Sequence, residues 1–141
     1  MRILAIVIMN FAKVKLRHIL LPSNIIGNLH KLANSMYKLC FYVPEAHLEP
    51  VKAALFALGA GHYHAYDHCC WQVRGEGQFK PLANSRAYLG KINQLERVAE
   101  YKVEMICNGA TIKEVVQTLL SVHPYEEPAY EIYKILTVDD L

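Results

Sequence analysis

The chain has 141 residues, 53% hydrophobic and 20% charged, with a formal net charge of +2; this fits one globular domain with a real core. The charge is unevenly divided. All 13 acidic residues follow Ser35, and residues 36–141 carry 10 basic against 13 acidic groups, a net of −3, which argues against a nucleic-acid-binding domain with its basic face.

Residues 1–35 hold five basic residues (Arg2, Lys13, Lys15, Arg17, Lys31) and no acid. The apolar run 3–9 is too short to span a bilayer, and no small-residue cleavage site follows it. Basic and apolar residues recur at roughly helical spacing over 13–32, interrupted by Pro22 and Gly27. A targeting leader, a membrane-surface amphipathic segment and an extension upstream of a true start at Met36 all fit this stretch. The last is preferred, because Met36 directly precedes a strong strand signal. An intact mass beginning at Met1 for protein made from the native gene would exclude it. Residues 36–141 are expected to form the functional domain, with no membrane association.

Residues 37–43 are rich in aromatic and β-branched types and predict a strand. Pro44 and Glu45 suit a first helical turn. Leu48, Val51, Leu55 and Leu58 then recur at helical spacing, and Gly59 and Gly61 end the helix. Pro50 predicts a kink or a late helix start. Residues 63–73 predict a second strand. Residues 74–90, with Gly75, Gly77, Pro81 and Gly90, predict a long irregular connection with at most a short strand near Phe79. Residues 96–107 predict a third strand, with Glu96, Glu100, Lys102 and Glu104 on one face and Tyr101, Val103, Met105 and Cys107 on the other. Thr111 and Glu114 have the spacing of a capping box. Ile112, Val115, Val116, Leu119 and Leu120 supply the apolar stripe of a second helix, and residues 129–136 a last strand.

The order βαββαβ is the ferredoxin-like split βαβ pattern, an α+β fold. Right-handed crossovers put both helices on one face of a four-stranded antiparallel sheet. The other face stays bare, and its apolar and aromatic residues need a partner, most simply another copy of the chain. The cysteines Cys40, Cys69, Cys70 and Cys107 form no Cys-x-x-Cys pair, so neither a zinc ribbon nor a thioredoxin-type site is indicated. Cys40 and Cys107 read as buried small hydrophobes, and a reducing cytoplasm is the expected compartment.

The helix-to-strand junction HPYEEPAYEIY, residues 123–133, is the most constrained segment. Pro124 pushes His123 out of the helical region, and Pro128 suits a strand start. The plainer reading is a structural hinge in which Tyr125 packs beneath the connection while Glu126 and Glu127 cap or pair. The sharper one makes His123, Glu126 and Glu127 a metal- or anion-responsive cluster. The hinge is favoured.

This junction resembles the end of the PII/CutA-like domain inserted in the YqfO family, the proteins related to a yeast NGG-interacting factor. VPEAHLEPVKAAL (43–55), GAGHYHAYDHCCW (59–71), GEGQFKPL (75–82) and LERVAEYKVEMI (95–106) match in the same order, so the likeness covers residues 36–136. CutA proteins, implicated in divalent-cation tolerance, have a similar HPY-x-x-P junction. The resemblance implies a trimer with sheets packed about a threefold axis. Members of full length carry a dinuclear metal centre on the halves flanking this insertion. This sequence does not include those halves, so that centre is not carried over. The family usually has small residues where Tyr63 and His64 stand here.

Three constellations remain. On a regular strand His62, His64 and His68 would share a face and could bind zinc or copper, with help from His123; the plainer reading is a solvated or subunit-facing surface. In RGEGQFKP, 74–81, the glycines Gly75 and Gly77 permit close backbone approach. By resemblance to the effector loop of PII proteins, Arg74, Lys80 and Arg86 would meet an anion; a hairpin extension buttressing a neighbour through Phe79 is slightly preferred. Cys69 and Cys70 beside His68 lack a third orienting group for nucleophilic catalysis. The sequence therefore predicts a non-enzymatic, trimeric, cytoplasmic module that binds a small ligand or divalent cation, or docks on a protein partner, at subunit clefts. The candidate ligand residues are Arg74, Gly75, Gly77, Phe79, Lys80, His123, Tyr125, Glu126 and Glu127. A metal-homeostasis protein binding zinc or copper is the alternative, and an accessory subunit of a metal-dependent hydrolase the second.

Overall fold

The computed structural model describes residue 22 and residues 35–141. The leader, amphipathic and upstream-extension readings of residues 1–35 lie outside the described residues. Strands β1 (Met36–Pro44), β2 (Cys70–Phe79), β3 (Glu96–Asn108) and β4 (Tyr130–Ile135) and helices α1 (Leu48–Phe56) and α2 (Ile112–Val122) follow in the order βαββαβ. The sheet order is β2-β3-β1-β4 with every pairing antiparallel, the ferredoxin-like α+β fold expected.

Alternation along the strands fixes what each face does. Leu39, Phe41 and Val43 of β1 and Val103, Met105 and Cys107 of β3 are all buried, and they form one core with Val51 and Leu55 of α1 and Val115, Val116 and Leu119 of α2. The stripes of both helices thus land on one side of the sheet. Leu58 and Ile112 pack at its margin, but Leu120 is exposed. On the opposite face Trp71, Val73 and Tyr133 are 69%, 49% and 54% exposed. Beside them Glu104 pairs with Lys38 and Lys102, and those two ammonium groups hold the Glu104 carboxyl below its ordinary range. Cys40 lies on this face opposite Glu131. Burial, then that carboxylate, push its thiol up to about 11.

Several local expectations are corrected. Pro44 ends β1 and a 3₁₀ turn spans Glu45–His47 in place of a first α-helical turn; the late start anticipated at Pro50 does hold, with Pro50 in the first turn of α1, where its missing N–H removes no helical bond. The capping box at Thr111 does not form. Thr111 Oγ1 donates instead to the Asn108 carbonyl, and Asn108 Oδ1 accepts the Ala110 N–H, a local turn that competes with capping.

The second strand begins at Cys70, seven residues later than predicted, and runs through Arg74–Gly77 to Phe79. Tyr63 and Tyr66 instead exchange backbone hydrogen bonds across a two-residue turn, and His64 and His68 adopt positive φ. At Gly61 a Cβ would strike the Cys69 backbone, so this loop closes only on glycine. Among the described residues no helix is long and apolar enough to cross a membrane.

Candidate functional site

The junction begins where α2 must stop. His123 is extended, with φ −72° and ψ 139°, as a residue before proline prefers. Its ring is buried, and both nitrogens are engaged. Nδ1 accepts the Tyr125 N–H at 3.1 Å, so Nε2 carries the proton and donates to the Tyr42 carbonyl at 2.8 Å. Burial holds its pKa below the ordinary imidazole value. A neutral imidazole with both nitrogens occupied is a structural pin.

Tyr125 projects back beneath the sheet and donates its hydroxyl to Glu100 Oε1 at 2.8 Å. Burial, then the nearby Glu100 carboxylate, raise its phenol pKa well above the ordinary value. The Glu100 carboxylate stands over Gly77, where any Cβ would collide with it. Gly77 thus lets the carboxylate approach closely inside a strand. The Tyr125 ring centroid lies 6.4 Å from that of Phe79 and 6.1 Å from that of Tyr88, tilted by 49° and 43°. Tyr88 is braced by His47, edge-on at 5.9 Å. Glu126 ties the 80–95 connection down, accepting from the Arg86 N–H at 2.8 Å and from Arg86 Nε at 3.4 Å.

These contacts wall a cavity of about 630 Å³, within the range of small-molecule sites. Its sheet residues Tyr42, Gly77, Phe79 and Glu100 belong to the bare face. Leu82, Tyr88 and Leu89 come from the connection, and Tyr125, Glu126 and Glu127 from the junction. Of the ligand residues anticipated from sequence, Gly77, Phe79, Lys80, Tyr125, Glu126 and Glu127 line it. Arg74 and Gly75 lie farther back in β2, and His123 sits behind Tyr125 as a support. Sequence reasoning missed Tyr42, Glu100 and Tyr88. A weak signal existed, since Tyr88 lies in a Gly- and Pro-rich connection where an aromatic has no local partner.

The proposed metal residues are not gathered in this way. His62, His64 and His68 stand on a tight turn and its exit, not on one strand face. Asp67 reaches His68 Nδ1 at 3.2 Å and His62 Nδ1 at 4.0 Å, while His123 is pinned elsewhere. Among the described residues no group of three or more His, Cys, Asp or Glu is placed to hold a metal ion. Cys69 Sγ faces the Asp67 carbonyl at 3.8 Å and is paired with no base among the described residues.

No family model matches the chain. It is 41% identical over 102 residues to a Mycobacterium leprae protein called "GTP cyclohydrolase 1 type 2 homolog", covering 72% of this chain and 26% of that one. The chain thus spans about a quarter of the length of the relatives it matches. Among solved structures, a Bacillus cereus protein related to NIF3 superposes with a TM-score of 0.63 at 37% identity, over 73% of this chain and 26% of that one. CutA from Xylella fastidiosa superposes with a TM-score of 0.54 at 14% identity, over 72% and 85%, which establishes a common fold. The chain is thus similar in sequence to one part of NIF3-related proteins and folds as CutA does.

Proposed function

We propose that this chain is a non-enzymatic PII/CutA-like module of the NIF3-related family, which associates with copies of itself through the bare sheet face and holds a small ligand in the cavity at one end of that face. The carrying observation is the cavity. Its walls come from three separated parts of the chain, held together by the Tyr125–Glu100 and Arg86–Glu126 hydrogen bonds.

The cavity's sheet residues and Trp71, Val73 and Tyr133 share one face. A second copy laid on that face would therefore turn the cavity into a cleft between subunits, the arrangement expected from the resemblance. A trimer is the proposed assembly and the cytoplasm the proposed location. The cyclohydrolase in the relatives' name belongs to proteins of which this chain matches only about a quarter, and the proposed role here is binding. The test is native mass spectrometry of protein purified from cells. Three subunits with a retained small molecule is the expected result. A single subunit carrying nothing, from a fully folded preparation, overturns the proposal. Retained zinc or copper lost in a His64→Ala variant would favour the metal-homeostasis alternative.

A further inference from the structure

From the charge and ring content of its wall, we infer that the cavity selects an organic ammonium cation. This rests on the ligand-cavity reading above and names its ligand class. Lys80 alone is basic among the described lining residues, against the carboxylates of Glu100, Glu126 and Glu127. Arg74 is absent from the lining, and Arg86 is spent on Glu126 from outside. The anion expected by resemblance therefore meets a wall of the wrong sign.

Two of the three carboxylates keep capacity to face a ligand. Glu100 gives one oxygen to Tyr125 and holds the other over Gly77. Glu127 makes no hydrogen bond or ion pair with a described residue. Around them stand the rings of Tyr42, Phe79, Tyr88 and Tyr125, with Tyr125 central. Aromatic faces attract a cation through their quadrupoles within about 6 Å of the ring centre, and the effect grows as water is excluded. A compact inorganic cation would need several converging oxygen ligands. Rings with carboxylates at their margin suit a soft, weakly hydrated ammonium carrying methyl or methylene groups.

The experiment is an amide NMR titration of the full-length chain with three probes. These are choline, its uncharged carbon isostere 3,3-dimethylbutan-1-ol, and adenosine monophosphate. Choline should shift the amides of Phe79, Tyr88, Tyr125 and Glu127 and bind roughly tenfold more tightly than the isostere. Glu100→Gln keeps an acceptor for Tyr125 and removes the charge. Both it and Glu127→Gln should weaken choline about threefold relative to the isostere in the same variant, and Lys80→Gln should strengthen it. Equal binding of choline and isostere, or preference for the nucleotide at the same amides, overturns the cation assignment while leaving a ligand cavity standing. No shift with any probe overturns the assignment as well. The mass of the molecule retained in native spectrometry then decides whether the cavity reading survives.

Discussion

Tyr125 and Glu100 are hydrogen-bonded, hydroxyl to carboxylate, at 2.8 Å across 25 residues of chain. The bond joins the turn after α2 to the middle of β3 and fixes the carboxylate over Gly77. Three features that are remote in sequence thus depend on one another: a phenol kept protonated by burial and by Glu100, a carboxylate held at a cavity wall, and a glycine within a strand.

That dependence is measurable as a coupling energy. In Gly77→Ala the new Cβ displaces the Glu100 carboxylate, the flexible end of a side chain, so the protein should fold but lose the Tyr125 bond. The expected cost is about 1.5–3 kcal/mol, that of a hydrogen bond to a charged group. In a Glu100→Ala background the same substitution should cost almost nothing, because Gly77 has no positive φ and alanine suits a strand at least as well. Additive losses in denaturant melts of the cycle would show that Glu100 is not what Gly77 accommodates.

His123 gives the fold a directional pH dependence. Its folded pKa is depressed by burial below the ordinary 6.5, helped by His47 nearby. Between the two values the unfolded chain binds a proton that the folded chain does not, so unfolding free energy rises with pH there. Stability is full above about 6.5 and falls as pH drops towards the folded value, by at most about 1.4 kcal/mol per pH unit. His123→Gln should abolish this slope. Because it disturbs the bonds to Tyr42 and Tyr125, it should also cost about 2–4 kcal/mol at neutral pH. An unchanged slope in the variant would assign the titration to another group.

Where periodicity is strong, the residues were sufficient. The alternation over 96–107 and the stripe Val115, Val116, Leu119 place β3 and α2 correctly, because burial on one face sets both. The error at β2 has a physical cause. Residues 63–69 belonged to the expected strand, but Gly61 must admit the Cys69 backbone and His64 and His68 turn left-handed, which composition does not encode. Gly75 and Gly77 looked like loop residues, yet Gly77 sits in a strand to clear the Glu100 carboxylate. Half of the cavity was visible as the junction. Tyr42, Glu100 and Tyr88 were not, since only the sheet register and the connection's return bring them to Tyr125.

The cysteines should separate cleanly by reactivity. Cys107 is buried, which pushes its thiol up to about 12, and Cys40 is raised to about 11. Little thiolate therefore exists at neutral pH to attack a disulfide reagent. Cys70 is exposed, Cys69 is half-buried, and all four thiols are free. Under native conditions Ellman's reagent should report two fast thiols, with two more appearing only at the denaturation midpoint. A fast phase of three or four would mean that the β1 or β3 position is open in solution.

Self-association through the bare face makes the most exacting prediction, because Trp71 is the sole tryptophan of the chain and stands on that face 69% exposed. It lies beside the Lys38–Glu104 pair, with Val73 farther along β2 and Tyr133 on β4. An interface burying about 800 Å² per partner would take these side chains out of water. Emission should then be blue-shifted at high concentration and move to the red on dilution, in step with the sedimentation coefficient. Trp71→Glu with Tyr133→Glu places charge on both edge strands of the bare face while leaving the core on the far side of the sheet intact. The double variant should sediment as one subunit with an unchanged circular dichroism spectrum. A wild-type chain that stays a folded single subunit at concentrations on the order of 100 μM, where even weak specific contacts of about 5–6 kcal/mol are populated, would leave this face without a second copy and deny the cavity its other wall.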